Sequence, residues 1–292
     1  MGEDSGSTGR IAVTGAAGEV GGRVAWLLAD RGIPQRLVVR NPGHTARLPK
    51  VEIAHADYAD PPAMRAALDG IDTVFLVSGR EAEDRLTHHL TAVDAAVAAG
   101  VRRIVYLSFL GADPAATFTL ARQHWATEQH IRATPMRFTF LRDSLYADLL
   151  PWMAGADRVL RGPAGDGAVS AVARDDVAEV AVAVLLGHGH DGGTYDVTGP
   201  AALTLTEIAM ELSAAAGRPV RYEIETIEQA YASRAQFSAP HWEVTGWVSS
   251  YAAIGAGEMA AVSDTVQRLT GHEATSFAEF LRRYPDSYQH LR

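Results

Sequence analysis

The chain has 292 residues, with 26 Lys and Arg against 35 Asp and Glu, a formal net charge of −9. At 47% hydrophobic and 21% charged it has globular composition, and it is long enough for a sizeable core. The acidic balance leaves no basic surplus for nucleic-acid phosphates, and the absence of cysteine excludes disulfides, thiolate nucleophiles, iron–sulfur clusters and Cys-type zinc sites.

Met1–Gly9 is polar and acidic, reads as a flexible tail, and carries neither the basic nor the apolar region of a targeting signal. The longest apolar stretches, such as Val177–Leu186, are too short for a bilayer core of roughly 30 Å. A cytoplasmic protein without a membrane or nucleic-acid partner is expected, and a homodimer is the one assembly left open.

Ile11–Thr14 is a short β-branched run that stops at Gly15. Val20, Val24, Leu27 and Leu28 follow at the spacing of one buried helix face, over Glu19–Arg31. Strands are predicted at Arg36–Val39, Val51–His55, Asp72–Val77, Arg103–Leu107 and Arg137–Leu141. Helices are predicted from Pro61 to Gly70, from Asp84 to Ala99 and over Leu120–Ala133, with a loop and short helix at Pro42–Pro49. Near-continuously apolar strands, each followed by a helix, imply parallel strands covered on both faces. Residues 10–150 therefore read as a doubly wound α/β Rossmann domain.

Beyond Tyr146 the rhythm changes. Val169–Ala173, Thr194–Val197 and Val220–Ile227 read as strands, with helices over Asp175–Leu186 and Thr204–Gly217, the second with Thr206 as its cap. Residues 151–292 are read as a smaller C-terminal α/β substrate-binding lid, with a strand near 194–198 returning to the main sheet. Substrate would then lie in the crevice outside the carboxyl ends of the strands.

Gly15-Ala-Ala17-Gly18-Glu19-Val20-Gly21 joins the first strand to the first helix. A dinucleotide site needs a tight turn, bare backbone for the pyrophosphate and a small residue where helix meets sheet, and this segment supplies all three. An acidic residue about twenty positions on would suit NAD. Here that place holds Arg40, whose cation suits a 2′-phosphate, so NADP(H) is favoured and NAD(H) remains open. Asp57, before Tyr58, has two readings: acceptor for the adenine amine, or cap of the following turn. Ser78 and Gly79 fall where backbone passes the cofactor ribose.

These features look like the short-chain dehydrogenase/reductase superfamily, most of whose members set a Ser, a Tyr and a Lys beside the nicotinamide, the last two spaced Tyr-x-x-x-Lys. The only lysine here is Lys50, in the wrong half of the nucleotide fold, and the matching helix carries His124-Trp-Ala-Thr-Glu128. Of the trio only Ser108 is in place.

That pattern resembles the NmrA-like, atypical short-chain dehydrogenases, and within them the type 2 NADPH:quinone oxidoreductases, from Ile11 to about Pro285. The carrying segments are the glycine turn, Val-Arg40-Asn-Pro, Gly100-Val-Arg-Arg-Ile-Val-Tyr-Leu-Ser108, Phe-Thr-Phe-Leu-Arg142-Asp-Ser, Ala173-Arg-Asp-Asp-Val-Ala, Thr194-Tyr-Asp-Val-Thr-Gly-Pro200 and Gln267-Arg-Leu-Thr-Gly271. The resemblance implies NADPH on the glycine turn, Arg40 near the 2′-phosphate, and a substrate pocket lined after strands four to six. Family members often carry Arg-Pro-Gly or Arg-Asn-Gly after the sixth strand and an Asn soon after; this chain has Arg142-Asp143-Ser144 and Asp148. The two acids either alter substrate choice or bond to nearby backbone.

Phe109, Arg142, Asp143, Tyr146 and Trp152 are the expected pocket residues, with Ser108 and Tyr146 as hydrogen-bond donors to a substrate carbonyl. His188-Gly-His190-Asp191 has metal-like residue types in a Gly-rich loop with no third ligand in view, so no metal is expected. A ketone needs a proton as hydride arrives, whereas a quinone delocalises the charge and takes its proton afterwards. The expected activity is therefore NADPH-dependent reduction of a quinone or related aromatic carbonyl. The Ala- and Arg-rich, Lys-poor composition looks like a high-GC bacterial genome, where an aromatic polyketide tailoring step with net oxygenation is one variant. The alternative from another class is a dinucleotide-binding sensor without turnover.

Overall fold

The computed structural model describes residues 9–41, 43 and 48–292. The expected N-terminal tail, apart from Gly9, and much of the expected loop and short helix at Pro42–Pro49 lie outside the described residues.

The first half alternates strand and helix: β1 (Ile11–Thr14), α1 (Glu19–Asp30), β2 (Gln35–Val39), β3 (Val51–His55), α2 (Pro61–Leu68), β4 (Thr73–Leu76), α3 (Arg85–Ala98), β5 (Arg103–Phe109), α4 (Thr119–Arg132) and β6 (Arg137–Asp143). Then follow β7 (Val159–Gly162), β8 (Ala168–Val169), α5 (Arg174–Leu186), β9 (Thr194–Val197), β10 (Leu203–Thr204), α6 (Leu205–Ala216), β11 (Arg221–Ile224), α7 (Ile227–Arg234), α8 (His241–Gly255), α9 (Thr265–Thr270) and α10 (Phe277–Arg283).

Seven strands form one sheet in the order β3-β2-β1-β4-β5-β6-β9, every pair parallel. Strand order reverses between β1 and β4, and the crevice outside their carboxyl ends is where such sheets take ligands. Alternation along β5 builds two cores at once: Val105 and Leu107 pack on α1 and α5, while Ile104 and Tyr106 pack on α2, α3 and α4. Val24 and Leu28, one turn apart on α1, are 0% exposed, and each such burial contributes roughly 1.5–3 kcal/mol.

The boundary expected at residue 150 does not divide the fold. Val180 and Val184 of α5, Val197 of β9 and Val266 of α9 share the core of α1, because the sheet face under α1 extends past β6. What remains is a mainly helical layer around Leu160, Leu205, Ile208, Leu212 and Ile254, with two short strand pairs among the described residues, β8–β10 and β7–β11. The expected strand Val169–Ala173 shrinks to a pair of residues and an isolated bridge between Val172 and Tyr146. The cap of α6 is Thr204, not Thr206: Thr204 and Glu207 bond reciprocally as a capping box. Among the described residues no helix is long and apolar enough to cross a membrane.

Candidate active site

The turn after β1 is built by its glycines. Gly15 has φ +59°, and its carbonyl accepts the Gly18 N–H at 2.8 Å. A Cβ on Gly21 would sit 2.4 Å from the Gly15 carbonyl oxygen, and one on Gly18 3.2 Å from it. Among the described residues no side chain caps α1, which leaves its first amides to an anion. Glu19, the acid beside them, is drawn to Arg23 at 2.6 Å. Bare backbone, free amides and a neutralised acid fit a pyrophosphate.

From this turn a cleft of about 1030 Å³ runs across the carboxyl ends of β1, β2 and β4. Gly15, Ala17, Gly18, Glu19, Val20, Gly21, Arg40, Asp57, Tyr58, Ser78 and Gly79 all line it, as do Arg85, Tyr146 and Arg174. At the β2–β3 end, the Arg40 side chain is 60% exposed and 3.9 Å from Asp57 Oδ2. Asp57 Oδ1 accepts the Ala59 N–H at 2.9 Å, so the turn-capping reading of Asp57 is realised at one oxygen. The Tyr58 hydroxyl donates to the Val77 carbonyl at 2.7 Å and lies 2.5 Å from Thr14 Oγ1, tying the loop after β3 across β1 to β4.

At the opposite end of the cleft stands Tyr146. Its hydroxyl donates to Asp143 Oδ2 at 2.5 Å, and the Arg174 guanidinium lies 4.6 Å from its ring centroid. Asp143 is 3% exposed, and burial, opposed by the Tyr146 hydrogen bond, pushes its carboxyl up to about 7. Burial and the adjacent Asp143 push the Tyr146 phenol well above its ordinary value. Asp148 accepts the Arg174 N–H and pairs with its guanidinium at 3.3 Å.

Beneath the Gly79 segment lies a buried network that sequence reasoning missed. Gly79 donates its N–H to His89 Nε2 and receives Arg85 Nε at its carbonyl, each at 2.8 Å. Arg85 Nη2 donates to His124 Nε2 at 2.8 Å, and His124 Nδ1 meets the Tyr106 hydroxyl at 2.9 Å. A guanidinium and a backbone amide only donate, so both imidazoles are neutral with the proton on Nδ1. Burial, reinforced by Arg85, holds both histidines well below their ordinary value. The sequence signal was available: Arg85 and His89 are spaced i, i+4, as are His124 and Glu128 on the neighbouring helix.

Five expected site residues do not line the cleft. Ser108 is 0% exposed and donates to Glu128 Oε1 at 2.6 Å, because β5 turns it inward beneath α4. Arg142, its partner across β6, donates to both Glu128 oxygens at 2.8 and 2.7 Å. Phe109 packs into the core of the helical layer against Phe118, with ring centroids 5.1 Å apart. Trp152 is 65% exposed and stacks on His290, since it ends up on the outer side of the short 3₁₀ turn after β6. Asp143 touches the cleft only through Tyr146. Among the described residues no cluster of three or more His, Asp or Glu is placed to hold a metal, and Asp191 pairs with Arg137 and Arg103.

The chain matches the profile of an NAD(P)H-binding family over residues 15–187. It is 34% identical to the NAD(P)H azoreductase of Xenophilus azovorans over 284 residues, covering 95% of this chain and 99% of that protein. It is 37% identical over 286 residues to the (4-alkanoyl-5-oxo-2,5-dihydrofuran-3-yl)methyl phosphate reductase of Streptomyces griseus, again covering 95% and 99%. Among solved structures it is similar to the NADPH-dependent quinone oxidoreductase 2 of Escherichia coli complexed with NADPH, with a TM-score of 0.86 and 31% identity over 94% of this chain and 99% of that one. The chain belongs to this NAD(P)H-binding family and is an NADP(H)-binding oxidoreductase of the azoreductase and quinone reductase type.

Proposed function

We propose that the enzyme reduces a flat, conjugated acceptor, a quinone or related aromatic carbonyl, by direct hydride transfer without a tyrosine–lysine pair. One observation carries the reading: the only lysine, Lys50, reaches the Gly32 carbonyl at 3.4 Å and is not among the residues lining the cleft, so Tyr146 works without it. The azo, quinone and unsaturated oxo-dihydrofuran groups in the relatives' names share a conjugated double bond, which supports the same class here.

Bound NADPH supplies two electrons and a proton as hydride. The Gly15, Gly18 and Gly21 turn and the first amides of α1 hold the pyrophosphate, and Arg40 pairs with the 2′-phosphate, leaving NADH the weaker cofactor. Backbone at Ser78 and Gly79 borders the ribose. The Tyr146 hydroxyl orients the acceptor heteroatom, and positioning does most of the work because conjugation spreads the incoming charge. The same step on a polycyclic aromatic polyketide would be a tailoring reaction, whose reduced product takes up dioxygen and leaves net oxygenation.

The test is NADPH oxidation against a panel of simple quinones, azo dyes and aliphatic ketones. Conjugated acceptors should exceed aliphatic ketones by orders of magnitude; equal or reversed rates contradict the reading. NADPH binding with no turnover across the panel would favour a dinucleotide sensor instead.

A further inference from the structure

We infer that Asp143 is the proton store behind Tyr146: its neutral carboxyl reloads the phenol that protonates the reduced acceptor. The inference rests on the proposed reduction of a conjugated acceptor at this cleft.

The geometry is a two-step path with one open end. Tyr146 lines the cleft, whereas Asp143 is 3% exposed and meets the cleft only through the 2.5 Å contact with the Tyr146 hydroxyl. With the carboxyl ionised, the phenol donates inward to Oδ2. With the carboxyl neutral, its own O–H donates to the phenolic oxygen, and the phenol proton is released toward the cleft. One protonation therefore reverses both hydrogen bonds.

The charged and titratable groups around Asp143 permit that neutral state. Tyr146 faces it from the loop after β6, Arg174 from α5, Arg85 from α3 and Tyr106 from β5. Neither cation is committed to it: Arg174 pairs with Asp148 at 3.3 Å, and Arg85 is spent on Gly79, Gln123 and His124. Burial outweighs both cations and leaves the carboxyl half-protonated at about pH 7.

The balance is complete. Hydride arriving at one end of the acceptor leaves an electron pair on its heteroatom. The Tyr146 O–H bond breaks as that heteroatom takes the proton, the Asp143 proton moves to the phenolic oxygen, and after product leaves the carboxylate recovers a proton from solvent through the Tyr146 hydroxyl. NADPH is oxidised by two electrons and the acceptor gains two electrons and two protons.

Two measurements on full-length protein test it. Infrared spectra of the cofactor-free protein should show a neutral buried carboxyl band that titrates away with a midpoint of about 7 and is absent in Asp143→Asn. With a quinone, wild-type kcat should fall by about tenfold per unit above that midpoint, while Asp143→Asn is slower at pH 6 and flat from pH 6 to 8, with NADPH affinity retained. A carboxyl titrating near its ordinary value of about 4, or an unchanged kcat profile in Asp143→Asn, overturns the inference. Should the Asn variant fail to fold, Tyr146→Phe carries the test: the infrared band must persist while the pH dependence of kcat disappears. Wild-type protein that reduces no conjugated acceptor overturns the functional reading and the relay together. Turnover with an unaltered profile in Asp143→Asn overturns the relay alone.

Discussion

Arg85 and His89 stand one turn apart on α3 and hold opposite ends of the same peptide group, the guanidinium at the Gly79 carbonyl and the imidazole at the Gly79 N–H, each at 2.8 Å. The segment that borders the cleft after β4 is thus fixed by side chains 3% and 0% exposed. Rigid backbone at a cofactor site needs such support, because each polar atom left unpaired there would cost about 1–3 kcal/mol.

This clamp should make the protein acid-labile. His89 and His124 are neutral in the fold, with values held well below 6.5 by burial and by Arg85. The unfolded chain therefore binds protons that the folded chain refuses, so stability is full above about 6.5 and is lost as pH falls below it. Urea unfolding at pH 7.5 and pH 5 should show the loss, and His124→Gln should flatten it. Equal stability at both pH values would contradict the neutral assignment.

Ser108 should prove structural. Ser108→Ala removes one charge-assisted hydrogen bond and should cost about 1.5–3 kcal/mol. Glu128→Gln strands the partly buried Arg142 guanidinium and should cost more, about 3–5 kcal/mol. Denaturant midpoints check both. A Ser108→Ala variant with normal stability and abolished turnover would return Ser108 to the chemistry.

Gly21→Ala tests the turn. The added methyl would lie 2.4 Å from the Gly15 carbonyl oxygen, so α1 must shift off the turn. Helical circular dichroism should survive while NADPH titration shows binding lost. Unchanged NADPH affinity would show that the pyrophosphate binds elsewhere.

What the sequence disclosed follows from the range of the forces involved. The sheet and the glycine turn were legible because they rest on local signals: apolar runs such as Val105–Leu107, helix stops, and glycine where a side chain would collide. The positions of Arg40, Asp57 and Tyr58 followed, since strand ends in a parallel sheet converge on one crevice. Ser108 was misplaced because its orientation depends on Glu128, on a helix beginning ten residues after β5 ends. The Gly79 clamp was only half legible: the i, i+4 spacing of Arg85 and His89 could be read, whereas its closure through His124 and Tyr106 joins α3 to α4 and β5 by contacts distant in sequence. Trp152 misled because an aromatic residue near a strand end reads as a pocket wall, whereas here it covers His290.

The proposed role of Arg40 in cofactor preference is open to direct test. Its side chain is 60% exposed and its nearest acid, Asp57, is 3.9 Å away, so it is available to a phosphate. Arg40→Ala should weaken NADPH binding by roughly ten- to a hundredfold, the worth of a charge-assisted contact, and leave NADH nearly unchanged. Titrations of both cofactors on both proteins check this. Equal losses, or a wild-type preference for NADH, would remove Arg40 from the 2′-phosphate.

Under the proposed function the cleft passes hydride directly to a conjugated acceptor without a tyrosine–lysine pair. Anaerobic stopped-flow mixing of NADPH-loaded enzyme with a simple quinone follows that step through the loss of nicotinamide absorbance. A single fast decay is predicted, slower when the transferable hydrogen is deuterium and absent when an aliphatic ketone replaces the quinone. A decay insensitive to deuterium, or no decay with any quinone while NADPH stays bound, would rule out direct hydride transfer to a quinone at this cleft.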